Sequence, residues 1–414
     1  MGSFRMSKEE LESYEIIRNF LEGFISRYDA ARKLNISERS VTNRANKIRK
    51  KGVLGAHHGN KGKPPKIKKS QHTKHRYISK KKNQYFDFNV HHAWEMIQEE
   101  AGSSPKEEVS YCTFYRWCKA ESLLKFKSRR RKKARALRNR MPRTGMMIQM
   151  DGSHHFWNGT EEWCLMTAID DANSELVACK FYSGETTLAC LDMLFQIVST
   201  KGLPEYFYID RAAWGGGFKR IQNNFSQFEE VCKGLGIQII YANSPQAKGR
   251  VERANRTHQD RLIPLLRLHK IKTIPDANIF IQRRYIAEWN KKYSVPPTEE
   301  KSSYIAMPNL NKLKEITCAK EAREVRADGC ISWCGAIFQC RTQEGFPLIK
   351  GGRVEIRRYP DGTWNTFHNG KEVRIKIVPS NRQPNPKFLQ NIPPGNKEIQ
   401  KQIDDLDGKK SMKA

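Results

Sequence analysis

Two stretches of this sequence contain no acid. Residues 60–82 carry ten Lys or Arg and residues 123–143 carry eleven, without one Asp or Glu in either. Apolar runs of membrane-spanning length are also missing, which predicts a chain that does not cross a bilayer. The opening residues do not read as a secretory leader, so none is expected, and MGSFRM lacks the Ser or Thr that a myristoylation signal has at its sixth position. The ten cysteines, Cys112, Cys118, Cys164, Cys179, Cys190, Cys232, Cys318, Cys330, Cys334 and Cys340, lack the spacing of a secreted disulfide scaffold. Most lie in apolar runs, so reduced thiols and a cytoplasmic location are expected.

What is abundant is positive charge. The 414 residues carry a formal net charge of +31, and its clustering in the two acid-free stretches points to phosphate contacts more than to general solubility. A hydrophobic content of 38% suffices for cored domains while leaving basic linkers. A chain of this length predicts roughly two to four domains.

Apolar positions from residue 7 onward recur at helical spacing (Leu11, Ile16, Ile17, Phe20, Leu21, Phe24), and a short helix over 29–34 follows. Ser37 then caps a helix whose Val41, Ala45 and Ile48 share one face, leaving Arg39, Asn43, Arg44, Asn46 and Lys47 outside. This is the layout of a helix-turn-helix with its last helix in the major groove, although a plain three-helix bundle has the same pattern. After the acid-free 60–82, helices over 89–100 and from Ser110 form a second helical unit, with Arg116 and Lys119 free to face phosphate. His91, His92, Cys112 and Cys118 do not have zinc-ligand spacing, and no zinc is expected.

From residue 145 the texture changes to strands. MMIQMDGSH ends a first strand at Asp151; 163–170 and 176–182 are the next two. A helix over 186–200, a strand over 205–210 ending at Asp210, a helix over 225–234, a strand over 237–242 and the helix bearing Glu252 follow. The order β-β-β-α-β-α-β-α is that of the ribonuclease-H-like fold, in which the first and fourth strands are neighbours and the last helix crosses to them. Asp151, Asp210 and Glu252 then share one pocket. Each acid alone also reads as a turn residue or a solvated helix charge; all three in the right element order, beside Lys248, Arg250, Arg253 and Arg256, favour a functional site. His154 and His155 read as packed or solvated residues.

Three segments carry a family resemblance: QMDGSHHFW at Asp151, YIDRAAW at Asp210 and SPQAKGRVERANRT at Glu252, with a later WNKKYSVPP at 289–297. They resemble the DDE transposases and retroviral-type integrases, and within these most closely the ISNCY-type insertion-sequence transposases of bacteria, over residues 7–379. One departure is a wider gap between Asp210 and Glu252, with Trp214-Gly215-Gly216-Gly217 just after the second acid. The resemblance implies DNA cleavage followed by joining of the freed 3′-OH to target DNA, by a homo-oligomer on DNA in a bacterial cytoplasm. The chemistry calls for two Mg²⁺ or Mn²⁺ ions held by Asp151, Asp210 and Glu252. Gln246, Lys248, Arg250, Asn255 and Arg256 would lie along the DNA. The competing reading is a catalytically silent, transposase-derived DNA-binding regulator.

Short strands over 322–379, separated by Asp328-Gly329, Asp361-Gly362 and Asn369-Gly370, predict a small SH3-like β-barrel offering Arg353, Arg357 and Arg358 to DNA, with Cys330, Cys334 and Cys340 as buried thiols. The expected fold is thus multidomain: a helix-turn-helix domain (1–58), a basic linker (59–84), a second helical DNA-binding domain (85–128), a basic linker (129–144), the α/β ribonuclease-H-like core (145–300), a connector (301–322), the barrel (323–379) and a disordered tail (380–414).

Overall fold

The computed structural model describes residues 6–57, 69–101, 108–124, 139–210, 226–242, 249–378 and 392–411. The chain divides into two compact units, Met1–Ile78 with Pro105–Val109, and Ser79–Ser104 with Ser110–Ala414.

In the first unit, α1 (Lys8–Leu21), α2 (Arg27–Lys33) and α3 (Glu38–Lys51) each begin at a serine whose hydroxyl accepts a first-turn N–H: Ser7, Ser26 and Ser37. Their apolar faces meet in a cluster of Ile17, Ala30, Ala31, Val41, Ala45 and Ile48. Arg39, Asn43, Arg44, Asn46 and Lys47 stay exposed on α3, and Arg44 donates to Ser13 Oγ of α1 at 2.8 Å.

The second unit is built on a five-stranded sheet of β1 (Met147–Phe156), β2 (Glu162–Asp170), β3 (Leu176–Tyr182), β4 (Tyr206–Ile209) and β5 (Gln238–Tyr241), in the order β3-β2-β1-β4-β5. The first three form an antiparallel meander, and β4 and β5 join it in parallel. Helices α7 (Thr187–Thr200) and α8 (Gln227–Gly234) bury one face of the sheet with Ile148, Met150, Phe207, Leu191, Leu194 and Phe228 in one cluster. The other face takes α9 (Gly249–Leu268), α10 (Ile274–Phe280), a π turn (Ile281–Tyr285) and α11 (Ile286–Tyr293). Alternation along β1 divides the two: Ile148 and Met150 join the α7 cluster, whereas Gln149, Asp151 and Ser153 hydrogen-bond to α9.

Three sequence expectations change. Strand β1 does not end at Asp151 but continues to Phe156, paired with β2 throughout; what ends near Asp151 is its parallel pairing with β4. The expected linker 59–84 contains helix α4 (Gln71–Asn83), begun by Ser70, whose hydroxyl accepts the Thr73 N–H. Its Lys81 is only 4% exposed and donates to the carbonyls of Tyr85, Phe86 and Phe88, closing the following turn with a cation. The expected disordered tail contains α13 (Lys397–Ser411), with Ile392, Ile399 and Ile403 packed into the C-terminal core.

That core lies between a four-stranded and a three-stranded sheet. The first is β6 (Ala319–Glu324), β9 (Arg353–Arg358), β10 (Trp364–His368) and β11 (Lys371–Glu372); the second is β7 (Cys330–Trp333), β8 (Ala336–Arg341) and β12 (Arg374–Ile377). Trp333 and Trp364 meet inside at 4.7 Å between ring centroids. Among the described residues the sheets do not close into a barrel. A short helix, α12 (Leu310–Ile316), precedes β6.

Helix α5 (Val90–Ala101), which packs on α6 (Tyr111–Ala120), docks on the α/β core through charge. Glu95 accepts from Arg261 at 2.9 Å and from Lys292, and Arg267 pairs with Asp87 at 2.6 Å. Burial works against ionisation of Glu95, but the hydrogen bonds from Lys292 and Arg261 outweigh it and its pKa is lowered. Since the Arg261 side chain is only 13% exposed, Glu95→Ala is expected to cost about 2 kcal/mol, between the ranges for exposed and buried pairs. Urea unfolding of the full chain measures it; an unchanged midpoint would remove α5 docking as a source of stability.

Candidate active site

The parallel register of β1 and β4 sets Gln149 beside Tyr208, and two residues further along each chain stand Asp151 and Asp210. Both acids are partly buried. The buried thiols behind them are affected by their charge: burial, followed by Glu185 and then Asp151, pushes Cys164 up to about 12, and Cys190 is raised by burial with Glu185 and Asp210 contributing.

Helix α9 runs along the opposite face of β1 and meets it at three levels. The Val251 N–H donates to Gln149 Oε1 at 3.3 Å, the Asn255 amide to Asp151 Oδ2 at 2.9 Å, and the Gln259 amide to Ser153 Oγ at 3.0 Å. Glu252, half-buried, precedes Asn255 by three positions and so lies on the same side of the helix. Among the described residues, no group of three or more His, Cys, Asp or Glu is arranged to hold a metal ion. The three acids are therefore brought to adjoining elements without forming a closed ligand set.

Beneath this stripe lies Asp171, with no exposed surface. Its Oδ1 accepts from Arg250 Nη1 and from Gln149 Nε2, each at 2.6 Å, and its Oδ2 accepts the Met141 N–H at 2.9 Å. The preceding Asp170 accepts from the N–H groups of Gly145 and Ala172 and from the Tyr304 hydroxyl. Burial pushes its carboxyl up, against those hydrogen bonds.

Of the residues singled out for DNA, Arg39, Asn43, Arg44 and Lys47 are exposed on α3, Arg116 and Lys119 on α6, and Arg256 on α9. Arg250 and Asn255 turn inward: the Arg250 side chain is 20% exposed and Asn255 is 7% exposed. Gln246 and Lys248 lie outside the described residues. Sequence reasoning missed Gln149, Asp171, Glu185 and Gln259. A glutamine inside the apolar run MMIQM was a readable signal, since a buried amide requires partners. Asp171 had none, because a second Asp after a strand reads as a turn. Glu185 reaches the sheet from before α7: a Cβ on Gly152 would lie 2.9 Å from its carboxyl carbon, so a bare backbone at position 152 makes room for it.

A helical N-terminal unit and a mixed α/β core with acids on β1, after β4 and on α9 define the class. No protein-family model matches the chain. It is 30% identical over 318 residues to the transposase for insertion sequence IS1202 of Streptococcus pneumoniae, covering 69% of this chain and 68% of that one. It is 28% identical over 384 residues to the protein named "Putative transposase y4bF" of Sinorhizobium fredii (strain NBRC 101917 / NGR234), covering 91% and 82%. The chain belongs to the bacterial insertion-sequence transposases. Similar solved structures include the HTLV-2 integrase catalytic core domain in complex with magnesium, in its dimeric form (20% identity, 38% of this chain and 94% of that one, TM-score 0.28). Another is the simian T-cell lymphotropic virus intasome in complex with the PP2A regulatory subunit B56 gamma (13%, 64% and 92%, TM-score 0.31). At TM-scores this low neither likeness adds to the case.

At mid-helix on α9, His258 is fully buried; its Nδ1 and the Tyr285 hydroxyl share a hydrogen bond of 2.9 Å, and its ring stacks 4.2 Å from Trp289. Burial lowers its pKa from 6.5 to about 3, and burial followed by Arg261 does the same for His92. The unfolded chain takes up these protons first as pH falls. The stability from keeping both rings neutral is full above pH 6.5 and is lost as pH falls toward 3, by about 1.4 kcal/mol per pH unit for each histidine. Urea titrations across that window should show a shallower slope for His258→Phe than for wild type; equal slopes would contradict burial of a neutral ring.

Proposed function

We propose that the chain is a DDE transposase that binds the ends of its element, cleaves them to expose 3′-OH groups and joins those to target DNA. The observation that carries this reading is the bond from the Asn255 amide to Asp151, which registers α9, the helix of Glu252, on β1 at the level of Asp151, beside the parallel strand that leads into Asp210. The strand order, with a meander followed by two parallel strands, supports a ribonuclease-H-like core.

Three carboxylates form an oxygen-only donor set, which suits Mg²⁺ or Mn²⁺. Asp151, Asp210 and Glu252 are the residues that would hold two such ions, which when bound activate a nucleophile and stabilise a leaving oxygen. Asn255 orients Asp151 by donating to its Oδ2 at 2.9 Å. On the DNA side we assign the exposed face of α3 (Arg39, Asn43, Arg44, Lys47), Arg116 and Lys119 of α6, and Arg256 beside the acids. The two C-terminal sheets, read as an opened SH3-like fold, add Arg353. Holding two DNA ends calls for a homo-oligomer on DNA.

The test is cleavage of duplex DNA carrying the ends of the element that encodes the chain, with Mg²⁺ or Mn²⁺. Glu252→Gln and Asp210→Asn should each abolish cleavage by removing a metal ligand, with end binding in a gel-shift assay unchanged because the basic surface is retained. Variants that still cut would overturn the catalytic assignment, and a wild-type chain that binds but never cuts would leave a DNA-binding regulator. With about six to ten phosphates neutralised, affinity should fall roughly 10³- to 10⁵-fold from 50 to 200 mM salt; a flat response would exclude a polyanion partner.

A further inference from the structure

We infer that Asp171, Arg250 and Gln149 form a positioning device for Glu252, fixing the rotation and axial register of the first turn of α9 against β1. The inference rests on the catalytic reading above.

Helix α9 begins at Gly249, so the Val251 N–H belongs to the first turn, whose N–H groups have no acceptor within the helix. Gln149 supplies one from the neighbouring strand. Its amide faces both ways: Oε1 accepts from Val251 at 3.3 Å, and Nε2 donates to Asp171 at 2.6 Å. Arg250, the residue before Val251, closes the third side on the same Asp171 oxygen at 2.6 Å. Two consecutive residues immediately before Glu252 are thereby tied, one through its side chain and one through its backbone, to a fully buried carboxylate.

Burial alone would not do this. Val251, Ala254, His258 and Leu262 already give α9 a buried stripe, which sets its distance from the sheet but permits small rotations and slides. Directional bonds at the helix start remove that freedom where the carboxylate geometry is most sensitive to it. A buried ion pair is also a poor source of stability compared with apolar residues of similar volume, and its best-attested use is to specify register. Asp171 is itself fixed from a third direction by the Met141 N–H at 2.9 Å, so its carboxylate cannot swing with the helix.

The full-length chain serves for the test. Removing Arg250 alone would strand a buried charge, so the main variant is the double substitution Asp171→Asn with Arg250→Gln, which removes both charges with little change in volume; Arg250→Lys is the conservative partner. Mn²⁺ binding without DNA is followed by electron paramagnetic resonance, and cleavage of the end-bearing duplex is titrated with Mg²⁺. The double variant is expected to keep the wild-type near-ultraviolet circular dichroism and DNA affinity. It should need about 10-fold more metal for half-saturation and cut about 10- to 100-fold more slowly, the range for partners that orient ligands. Arg250→Lys should recover part of both. The proposal is overturned if metal half-saturation is unchanged, whether activity is retained or falls together with folding and DNA affinity, as it would for a purely structural pair. Asp210→Asn separates the two levels: if it cuts like wild type, the catalytic reading falls and this device with it; if it is inactive while the double variant matches wild type, only the device falls.

Discussion

A carboxylate with no exposed surface has to be compensated from within the protein, and Asp171 is compensated by groups that are far apart in sequence. Arg250 brings the start of α9, Gln149 brings the middle of β1, and the Met141 N–H brings the segment entering β1. Stranding such a charge by removing one partner costs several kcal/mol, about 3–5 for a buried pair. The three elements therefore cannot drift independently, and the strand that carries Asp151 is tied to the helix that carries Glu252 through one carboxylate oxygen, Asp171 Oδ1.

The two faces of the sheet are held by different physics. Toward α7 and α8 the contacts are apolar side chains and buried thiols, including Cys164, Cys190 and Cys232, whose attraction is strong but without direction. Toward α9 the odd positions of β1 present an amide, a carboxylate and a hydroxyl, each matched by a donor from the helix. Such contacts add little net stability each, about 1 kcal/mol, but they are satisfied in only one register. The apolar face makes the core fold; the polar face decides where α9 sits on it.

Periodicity made much of this legible. The limits of β3 coincide with the expected 176–182, and Ser37 and Ser110 cap the helices they were expected to cap, because alternation and capping are local properties. Helix α4 was hidden because it is rich in cations and has few apolar positions, so composition resembled a linker; the buried role of Lys81 depends on carbonyls that lie outside the helix. Helix α13 was hidden in a polar tail whose isoleucines make sense only against the C-terminal core. The inward turn of Arg250 and Asn255 was not visible either. On a helix thick with Arg and Lys, sequence cannot tell the cation that meets a buried acid from those that meet solvent, and the acid concerned, Asp171, read as half of a turn.

The far end of α9 completes the constraint. Twenty residues at 1.5 Å each make a rod of about 30 Å, and past its midpoint Asp260, Arg261 and Arg267 engage Asn89, Glu95 and Asp87, next to or within α5. A rod fixed at its first turn by Asp171 and along its second half by the carboxylates of the α5 region has little freedom to tilt about its middle, where Asn255 holds Asp151. Helix α5, from the region read as a separate DNA-binding domain, thus braces through Glu95 the far half of the helix that carries Glu252.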